Sequence, residues 1–249
     1  MKRNLKIAIP NPERKRALFV VDVQAGFLNK RNDWIIQNIF MRKFWSKKND
    51  SGEEDIVEVL KRGGVAIIPT DTTYGIVGLA LNEQAVHEIY RLRKRDLDKP
   101  FIILIADKKD LKKFGVKVTP AQEKILDRVW PACRPPAVAR AGDVRGAGRP
   151  GAVSVILPCV DDKFAYLHRG KNTLAFRLPE KESVRRLIRE VGPLVAPSAN
   201  PQGHPVARTI SEAKAYFGYH VDFYEDSGDV VASPSKLIDI TGDMEKVLR

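Results

Sequence analysis

The chain has few cysteines and no long apolar run, and each shortage excludes a class of protein. Only two cysteines, Cys133 and Cys159, occur in 249 residues, and their spacing matches neither a zinc site nor a short redox motif. So few thiols exclude a disulfide-stapled secreted scaffold and are typical of a reducing compartment. Residues 101–106 form one of the longest apolar runs, which is far too short to span a membrane. We therefore expect a cytoplasmic protein with no membrane partner and no metal site.

Acidic residues are scarce relative to basic ones, and the imbalance is uneven along the chain. The formal net charge is +12, from 43 Lys and Arg against 31 Asp and Glu. Residues 1–50 hold 12 basic and 4 acidic side chains, a net of +8, whereas residues 51–249 hold 31 and 27, a net of +4. A basic arm attracts RNA without sequence preference, although charged segments are more often solvated surfaces. Residues 1–50 are therefore either a segment that contacts tRNA or double-stranded RNA, or a solvated charged surface.

From residue 52 onward, strand-like and helix-like segments alternate in the pattern of an α/β or α+β protein. The spacing predicts helices over residues 53–62, from Asn82, from Thr119, over 180–191 and over 211–217, and strands at residues 65–69, 101–106, 153–157, 173–178, 193–197, 221–224 and 237–240. The Thr119 start is well defined, because Pro120 takes the first helical position and Gln122 can close a capping box. We expect one twisted mixed sheet with flanking helices.

Residues 131–150 do not fit this alternation. They are rich in Pro, Gly, Ala and Arg and show no apolar periodicity. Gly146, Gly148 and Gly151 have the spacing of a dinucleotide-binding fingerprint, but that motif must follow a strand and open a helix. Here it follows an irregular stretch and precedes a strand-like one, so we reject it. We interpret residues 131–150 as an irregular insert.

Polar residues gather at three places that resemble parts of one pocket. Residues 69–75 (PTDTTYG) follow the apolar run 65–68, residues 93–100 (RKRDLDKP) are basic, and residues 197–200 (PSAN) end another strand-like run. A buried strand delivers polar groups of this kind to a pocket rather than to open solvent. Each stretch alone could be structural, because hydroxyls and amides also cap turns and basic residues are often solvated. Together they indicate a pocket for phosphate and a small polar substrate.

The order of these motifs resembles the YrdC-like, or threonylcarbamoyl-adenylate synthase, family. The family's elements correspond, in order, to residues 63–75 (GGVAIIPTDTTYG), 93–100, 175–177 (AFR), 196–200 (APSAN) and 233–239 (SPSKLID). Each motif alone is weak, but five in the right order and spacing are specific, and the resemblance covers residues 52–249. It implies a single YrdC-like domain built on a twisted mixed sheet, with a concave, basic cavity.

The resemblance implies an enzyme, a nucleotidyltransferase that carboxylates L-threonine with bicarbonate and joins the product to AMP from ATP, releasing pyrophosphate. The threonylcarbamoyl-AMP would feed the t6A37 modification of tRNA through downstream tRNA-modifying proteins. ATP would arrive as a substrate with Mg²⁺ held by its phosphates rather than by a protein cage. No tightly bound cofactor is expected.

The resemblance also implies roles for individual side chains. Thr70, Arg177 and Ser235 correspond to substrate-contacting positions. The expected ATP-binding residues are Arg93, Arg95, Lys99, Ser198 and Asn200. Nucleotidyl transfer needs cations against the triphosphate and little covalent chemistry from the protein, and forked guanidinium donors suit phosphate oxygens. No catalytic residue is assigned.

The chain departs from the family at several places. Arg93 stands where the family usually has lysine, so a planar guanidinium replaces a compact ammonium. YciO-like relatives can also carry arginine in this motif. Residues 131–150 interrupt the family's Trp-Pro-Gly motif and could displace Ser154, an expected ligand contact.

Residues 16–27 resemble the first strand of isochorismatase-like hydrolases, so residues 1–50 are interpreted as a basic N-terminal extension and possible remnant without hydrolase activity. We expect no extra C-terminal domain. Two alternatives follow: a YciO-like RNA-binding protein without synthase activity, or an impaired fusion product.

Overall fold

A computed structural model describes residues 4–10, 18–24, 55–130, 152–230, 235–242 and 244–249. The chain divides into two compact units, Met1–Ser46 and Lys47–Arg249. In the first unit, strand β1 (Asn4–Pro10) pairs antiparallel with strand β2 (Leu18–Gln24). The strand expected within residues 16–27 is therefore present as β2. The rest of the 1–50 extension and the whole 131–150 insert lie outside the described residues.

The described residues of the second unit contain a mixed sheet of nine strands. The strands are β3 (Ala66–Pro69), β4 (Tyr74–Leu79), β5 (Ile102–Leu104), β6 (Val153–Pro158), β7 (Thr173–Arg177), β8 (Leu194–Val195), β9 (Phe223–Tyr224), β10 (Lys236–Asp239) and β11 (Lys246–Val247). Their order across the sheet is β11-β10-β6-β7-β5-β8-β4-β3-β9. The pairs β10–β6, β5–β7 and β3–β9 are parallel, and the other neighbours are antiparallel. The mixed α/β class expected from the sequence is confirmed.

Six α-helices accompany the sheet in this described part of the unit. They are α1 (Ile56–Lys61), α2 (Glu83–Arg93), α3 (Pro120–Val129), α4 (Ala165–His168), α5 (Glu182–Val191) and α6 (Ile210–Phe217). The predicted caps are confirmed: Asn82 Oδ1 accepts from the Ala85 amide at 3.1 Å, and Thr119 and Gln122 form the reciprocal capping box. Across the described ranges, no helix combines the length and apolar character that a membrane span requires.

The core has two parts, and strand β3 contributes to both. Ile67 belongs to one cluster of buried apolar residues, whereas its neighbours Ala66 and Ile68 belong to another. Successive side chains of a strand point to opposite faces, so both faces of β3 are buried. This explains why its sequence is a continuous apolar run rather than an alternating one. A strand buried in this way is a rigid support for the polar residues that follow it.

Every helix and strand predicted from the sequence of the second unit is present within about three residues of its expected ends. Strand β4 was not predicted, because Gly75 and Gly78 weaken its strand signal. Close packing explains one of these glycines: a Cβ on Gly78 would lie 3.1 Å from Ile89 Cδ1 and 3.3 Å from the Ala85 Cβ of helix α2. The two-residue strand β11 and the short helix α4 also went unpredicted.

Candidate functional site

A cavity of about 280 Å³ lies in the second unit, where strands β3, β7 and β8 end. Six of the eight side chains predicted to bind ligands line it: Thr70, Arg93, Arg95, Arg177, Ser198 and Ser235. Among the described residues, the lining does not include the other two, Lys99 and Asn200. The structure therefore gathers motifs that are more than 160 positions apart in the sequence at one place.

The turn between β3 and β4 is closed by the Thr70 hydroxyl. Its Oγ1 donates to the Thr73 carbonyl at 2.7 Å and accepts from the amides of Thr72 (3.2 Å) and Thr73 (3.3 Å). The proton of this hydroxyl is therefore committed within the turn, as in other hydroxyl-capped turns. Thr70 lines the cavity, but its hydroxyl bonds within the turn and so stabilises the loop that carries Thr72 and Thr73.

The Pro197–Asn200 stretch is attached directly to this turn. Ile76 donates its amide to the Pro197 carbonyl at 2.9 Å, and Ala199 donates to the Tyr74 carbonyl at 2.8 Å. Gly75 faces Ser198 across an antiparallel bridge, and a Cβ on Gly75 would lie 3.0 Å from the Thr70 methyl carbon. A side chain at position 75 would therefore press on Thr70, which closes the turn.

Arg177 is a buried cation at the end of β7. It is 4% exposed; Nη1 donates to Thr72 Oγ1 at 3.3 Å, and Nη2 lies 3.4 Å from Asp71 Oδ1. Burial lowers the pKa of Arg177, and the Asp71 carboxylate opposes that shift. Its Nε is buried and has no hydrogen-bond partner in the described part of the chain. A guanidinium with a spare donor beside the cavity is suited to an anionic ligand.

Arg93 is held by the Pro-Ser-Ala-Asn motif. Its Nε donates to the Asn200 carbonyl at 2.8 Å, and Nη2 donates to Asn200 Oδ1 at 3.1 Å and Ser198 Oγ at 3.3 Å. The Asn200 amide in turn donates to the His204 carbonyl at 2.7 Å. Burial, with the nearby charge of Arg95, lowers the pKa of Arg93 to about 10. Asn200 therefore orients Arg93 and Ser198 from behind the cavity wall.

Arg95 lies on the loop after α2 and is less enclosed than Arg93. Its Nε donates to the Lys99 carbonyl at 3.1 Å, and Cζ lies 5.4 Å from the ring centre of Phe101, which also lines the cavity. The Lys99 ammonium, in contrast, is half-exposed and paired with Asp96. Lys99 thus contributes its backbone carbonyl to the site in this structure, while its charge lies outside the cavity lining.

Ser235 and Arg249 also line the cavity. Ser235 Oγ lies 3.0 Å from Ser154 Oγ, and the Ser235 carbonyl accepts from Arg249 Nε at 3.2 Å. Ser154 is fully buried on β6, behind Ser235. Arg249 was missed by sequence reasoning, because a single arginine outside the matched motifs gives no signal. Only the pairing of β11 with β10 brings it to Ser235.

Within the described ranges, no group of three or more His, Cys, Asp or Glu side chains is arranged to hold a metal ion. The charged side chains that line the cavity are the arginines Arg93, Arg95, Arg177 and Arg249. Guanidinium groups in this number, mixed with hydroxyls, form the recognition chemistry of phosphate and carboxylate groups. The fold and the site together are those of an α/β domain with an arginine-lined cavity.

The chain belongs to the Sua5/YciO/YrdC family. The model of this family, described as "Telomere recombination", matches residues 58–134 and 140–249. The resemblance seen in the order of the motifs is therefore confirmed for most of the chain.

Individual relatives place the chain within this family. A threonylcarbamoyl-AMP synthase from Idiomarina loihiensis is 31% identical over 179 residues, which are 70% of this chain and 86% of that protein. Sua5 of P. abyssi complexed with L-threonine has a TM-score of 0.62 at 27% identity, covering 78% of this chain. The match spans 52% of that Sua5 chain, so the present chain corresponds to about half of it. E. coli YciO shares the fold, with a TM-score of 0.61 at 22% identity over 78% of this chain and 85% of that chain.

Proposed function

We propose that this protein is a threonylcarbamoyl-AMP synthase, which makes threonylcarbamoyl-AMP and pyrophosphate from L-threonine, bicarbonate and ATP. The observation that carries the proposal is the convergence of Arg93, Arg95 and Arg177, from three separate motifs, on one cavity beside a hydroxyl-rich turn. The relative from Idiomarina is named for this activity, and P. abyssi Sua5 has been crystallised with L-threonine. The adenylate would pass to downstream tRNA-modifying proteins in the cytoplasm.

The reaction joins three anionic or nucleophilic reactants, and the arginines address its main electrostatic difficulty. The threonine amine attacks the bicarbonate carbon and water leaves, which gives a carbamate. A carbamate oxygen then attacks the α-phosphorus of ATP, and the bond to pyrophosphate breaks. Two anions must meet in this second step, so fixed cations lower its barrier by screening their repulsion and by stabilising the departing pyrophosphate.

The contacts divide the lining residues into two groups, one for each anionic partner. Arg93 bonds to Ser198, and these two would hold the triphosphate together with Arg95 and the Mg²⁺ that ATP carries. Arg177 bonds to Thr72 in the turn of Thr70 and is paired across the sheet with Ser154, the neighbour of Ser235; a carboxylate or bicarbonate would bind to this second group. Asn200 would act through Arg93 and Ser198, and Lys99 would reach the nucleotide only after leaving Asp96.

Pyrophosphate release by the purified protein tests the proposal. Release should require ATP, L-threonine and bicarbonate together. Arg95→Ala should lower the rate at least about tenfold, because one direct cation–phosphate contact is lost. Arg208→Ala is the matched control, since Arg208 pairs with Asp229 on the surface and does not line the cavity. Release that does not depend on threonine, or equal rates for Arg95→Ala and the unsubstituted protein, would contradict the proposal.

A second candidate function is RNA binding without synthase activity, of the YciO-like kind. The net charge of +8 on residues 1–50 and the arginine at position 93 favour it. Binding of tRNA that weakens steeply with salt, in a protein that releases no pyrophosphate, would establish this alternative. A failure to bind tRNA at low salt would remove it.

A further inference from the structure

Arg95 needs support from its surroundings, because it lies on a loop. Its Nε donates to the Lys99 carbonyl at 3.1 Å, and its guanidinium carbon lies 5.4 Å from the Phe101 ring centre. The described residues offer its two terminal nitrogens no hydrogen bond, so these remain available to a ligand in the cavity that Arg95 lines. The direction of the side chain therefore depends on one carbonyl and one aromatic face.

Tyr90 holds both of these supports. Its hydroxyl donates to the same Lys99 carbonyl at 2.9 Å, and its ring stacks on Phe101 with ring centres 4.0 Å apart and an interplanar angle of 27°. The Tyr90 backbone carbonyl also accepts from the Arg95 amide at 3.1 Å. The Tyr90 side chain thus fixes the partner of the Arg95 Nε and the ring beside its guanidinium, while the Tyr90 backbone holds the start of the loop.

Burial keeps the Tyr90 hydroxyl protonated. Tyr90 is 2% exposed, and burial raises the pKa of its hydroxyl even though the nearby Arg169 and Arg95 oppose that shift, so the proton needed for the bond to Lys99 is retained at neutral pH. The guanidinium carbon of Arg169 lies 4.3 Å from the Tyr90 ring centre. Each of the two stacked rings therefore lies beside a cation, Tyr90 beside Arg169 and Phe101 beside Arg95.

We infer that Tyr90 is a positioning residue that holds Arg95 in the direction needed to bind the triphosphate of the nucleotide. It does not line the cavity and acts through Lys99, Phe101 and Arg95. This inference rests on the proposed function for the identity of the ligand, but not for the geometry. Loss of the Tyr90 hydroxyl should weaken nucleotide binding without altering the binding of threonine.

The test is Tyr90→Phe, which deletes only the hydroxyl and keeps the stacked ring. The dissociation constant for Mg²⁺–ATP, measured by titration calorimetry, should rise about three- to tenfold, the worth of one neutral hydrogen bond. In turnover assays the KM for ATP should rise while the KM for L-threonine stays constant. The matched control is Tyr166→Phe, which removes an equivalent bond of 2.9 Å from a tyrosine hydroxyl to the Ala80 carbonyl, away from the cavity. It should leave both constants unchanged.

A double-mutant cycle separates positioning from general stabilisation. If Tyr90 acts through Arg95, then Tyr90→Phe should have almost no further effect on ATP binding in the Arg95→Ala background. The inference would be overturned if Tyr90→Phe raised the dissociation constant for Mg²⁺–ATP by the same factor with and without Arg95→Ala. It would also be overturned if Tyr90→Phe alone left that constant unchanged. Should Tyr90→Phe fail to fold, Phe101→Leu removes the ring beneath Arg95 and should show the same non-additivity with Arg95→Ala.

The result for the unsubstituted protein separates this inference from the proposed function. A protein that binds Mg²⁺–ATP but releases no pyrophosphate with threonine and bicarbonate would contradict the synthase alone, and the cycle would still decide the role of Tyr90. A protein with no saturable ATP binding would overturn both.

Discussion

At the scale of single residues, the site contains a buried ion pair between Asp71 and Arg177. Their side chains are 7% and 5% exposed, with 3.4 Å between Asp71 Oδ1 and Arg177 Nη2. Breaking a buried pair leaves an uncompensated charge, and this costs far more than the loss of a surface pair.

Asp71→Asn should therefore lower the free energy of unfolding by about 3 kcal/mol, as measured by urea denaturation at neutral pH. The control is Asp229→Asn, which neutralises the acid of an exposed pair with Arg208 and should cost less than about 1 kcal/mol. Equal, small effects of the two substitutions would show that Arg177 does not depend on Asp71.

The residue scale also shows what the sequence could and could not predict about the site. The resemblance in motif order identified six side chains that line the cavity, and each lies at or near one end of a strand or helix. It could not separate lining residues from supporting ones: Asn200 and Lys99 match their motifs equally well but act from outside the lining. That distinction depends on side-chain direction, which a linear pattern does not contain. Arg249 could not be predicted, because only tertiary pairing brings it to Ser235.

At the scale of elements, the junction between helix α1 and strand β3 fixes the base of the site. The sequence predicts a helix over residues 53–62, and helix α1 does end at Lys61, followed by Gly63 at φ +84°. A Cβ on Gly64 would lie only 2.6 Å from the Val59 carbonyl oxygen, a backbone atom of the helix. The helix would have to move away from the strand.

Gly64→Ala should accordingly lower the free energy of unfolding by about 2 kcal/mol, the cost of overpacking a rigid contact. Gly242→Ala is the matched control, because a Cβ there has no neighbour within 4 Å among the described residues, and the change should stay within about 0.5 kcal/mol. Thermal and urea denaturation of both variants measure the difference. Similar stability of the two variants would mean that α1 can shift without cost.

Element prediction from the sequence succeeded where local signals were strong and failed where tertiary contacts decide. The capping box at Thr119 and Gln122 and the apolar run of β3 carry their own signals, and both are confirmed. Strand β4 has glycines where Thr70 and helix α2 would crowd a Cβ, and these same glycines weaken the strand signal in the sequence. Very short strands such as β11 exist only through their partners.

At the scale of the whole molecule, the excess positive charge and the cavity lie in different parts of the chain. Two thirds of the net charge lies in residues 1–50, whereas the arginine-lined cavity lies within Lys47–Arg249. Overall charge therefore says little about the chemistry of the site, and an RNA-binding arm is a separate question from a synthase. Family membership covers the unit that contains the cavity, and it is this unit on which the proposed activity depends.

The central claim is that this chain itself makes threonylcarbamoyl-AMP, and a double-label experiment tests it most directly. The purified protein is incubated with Mg²⁺–ATP, ¹⁴C-bicarbonate and ³H-threonine, and the nucleotide products are separated. We expect an adenylate that carries both labels in equal amounts and forms in step with pyrophosphate, and we expect Arg95→Ala to suppress it. A folded protein that binds ATP but forms no doubly labelled adenylate would contradict the claim and favour the RNA-binding or impaired-fusion alternative.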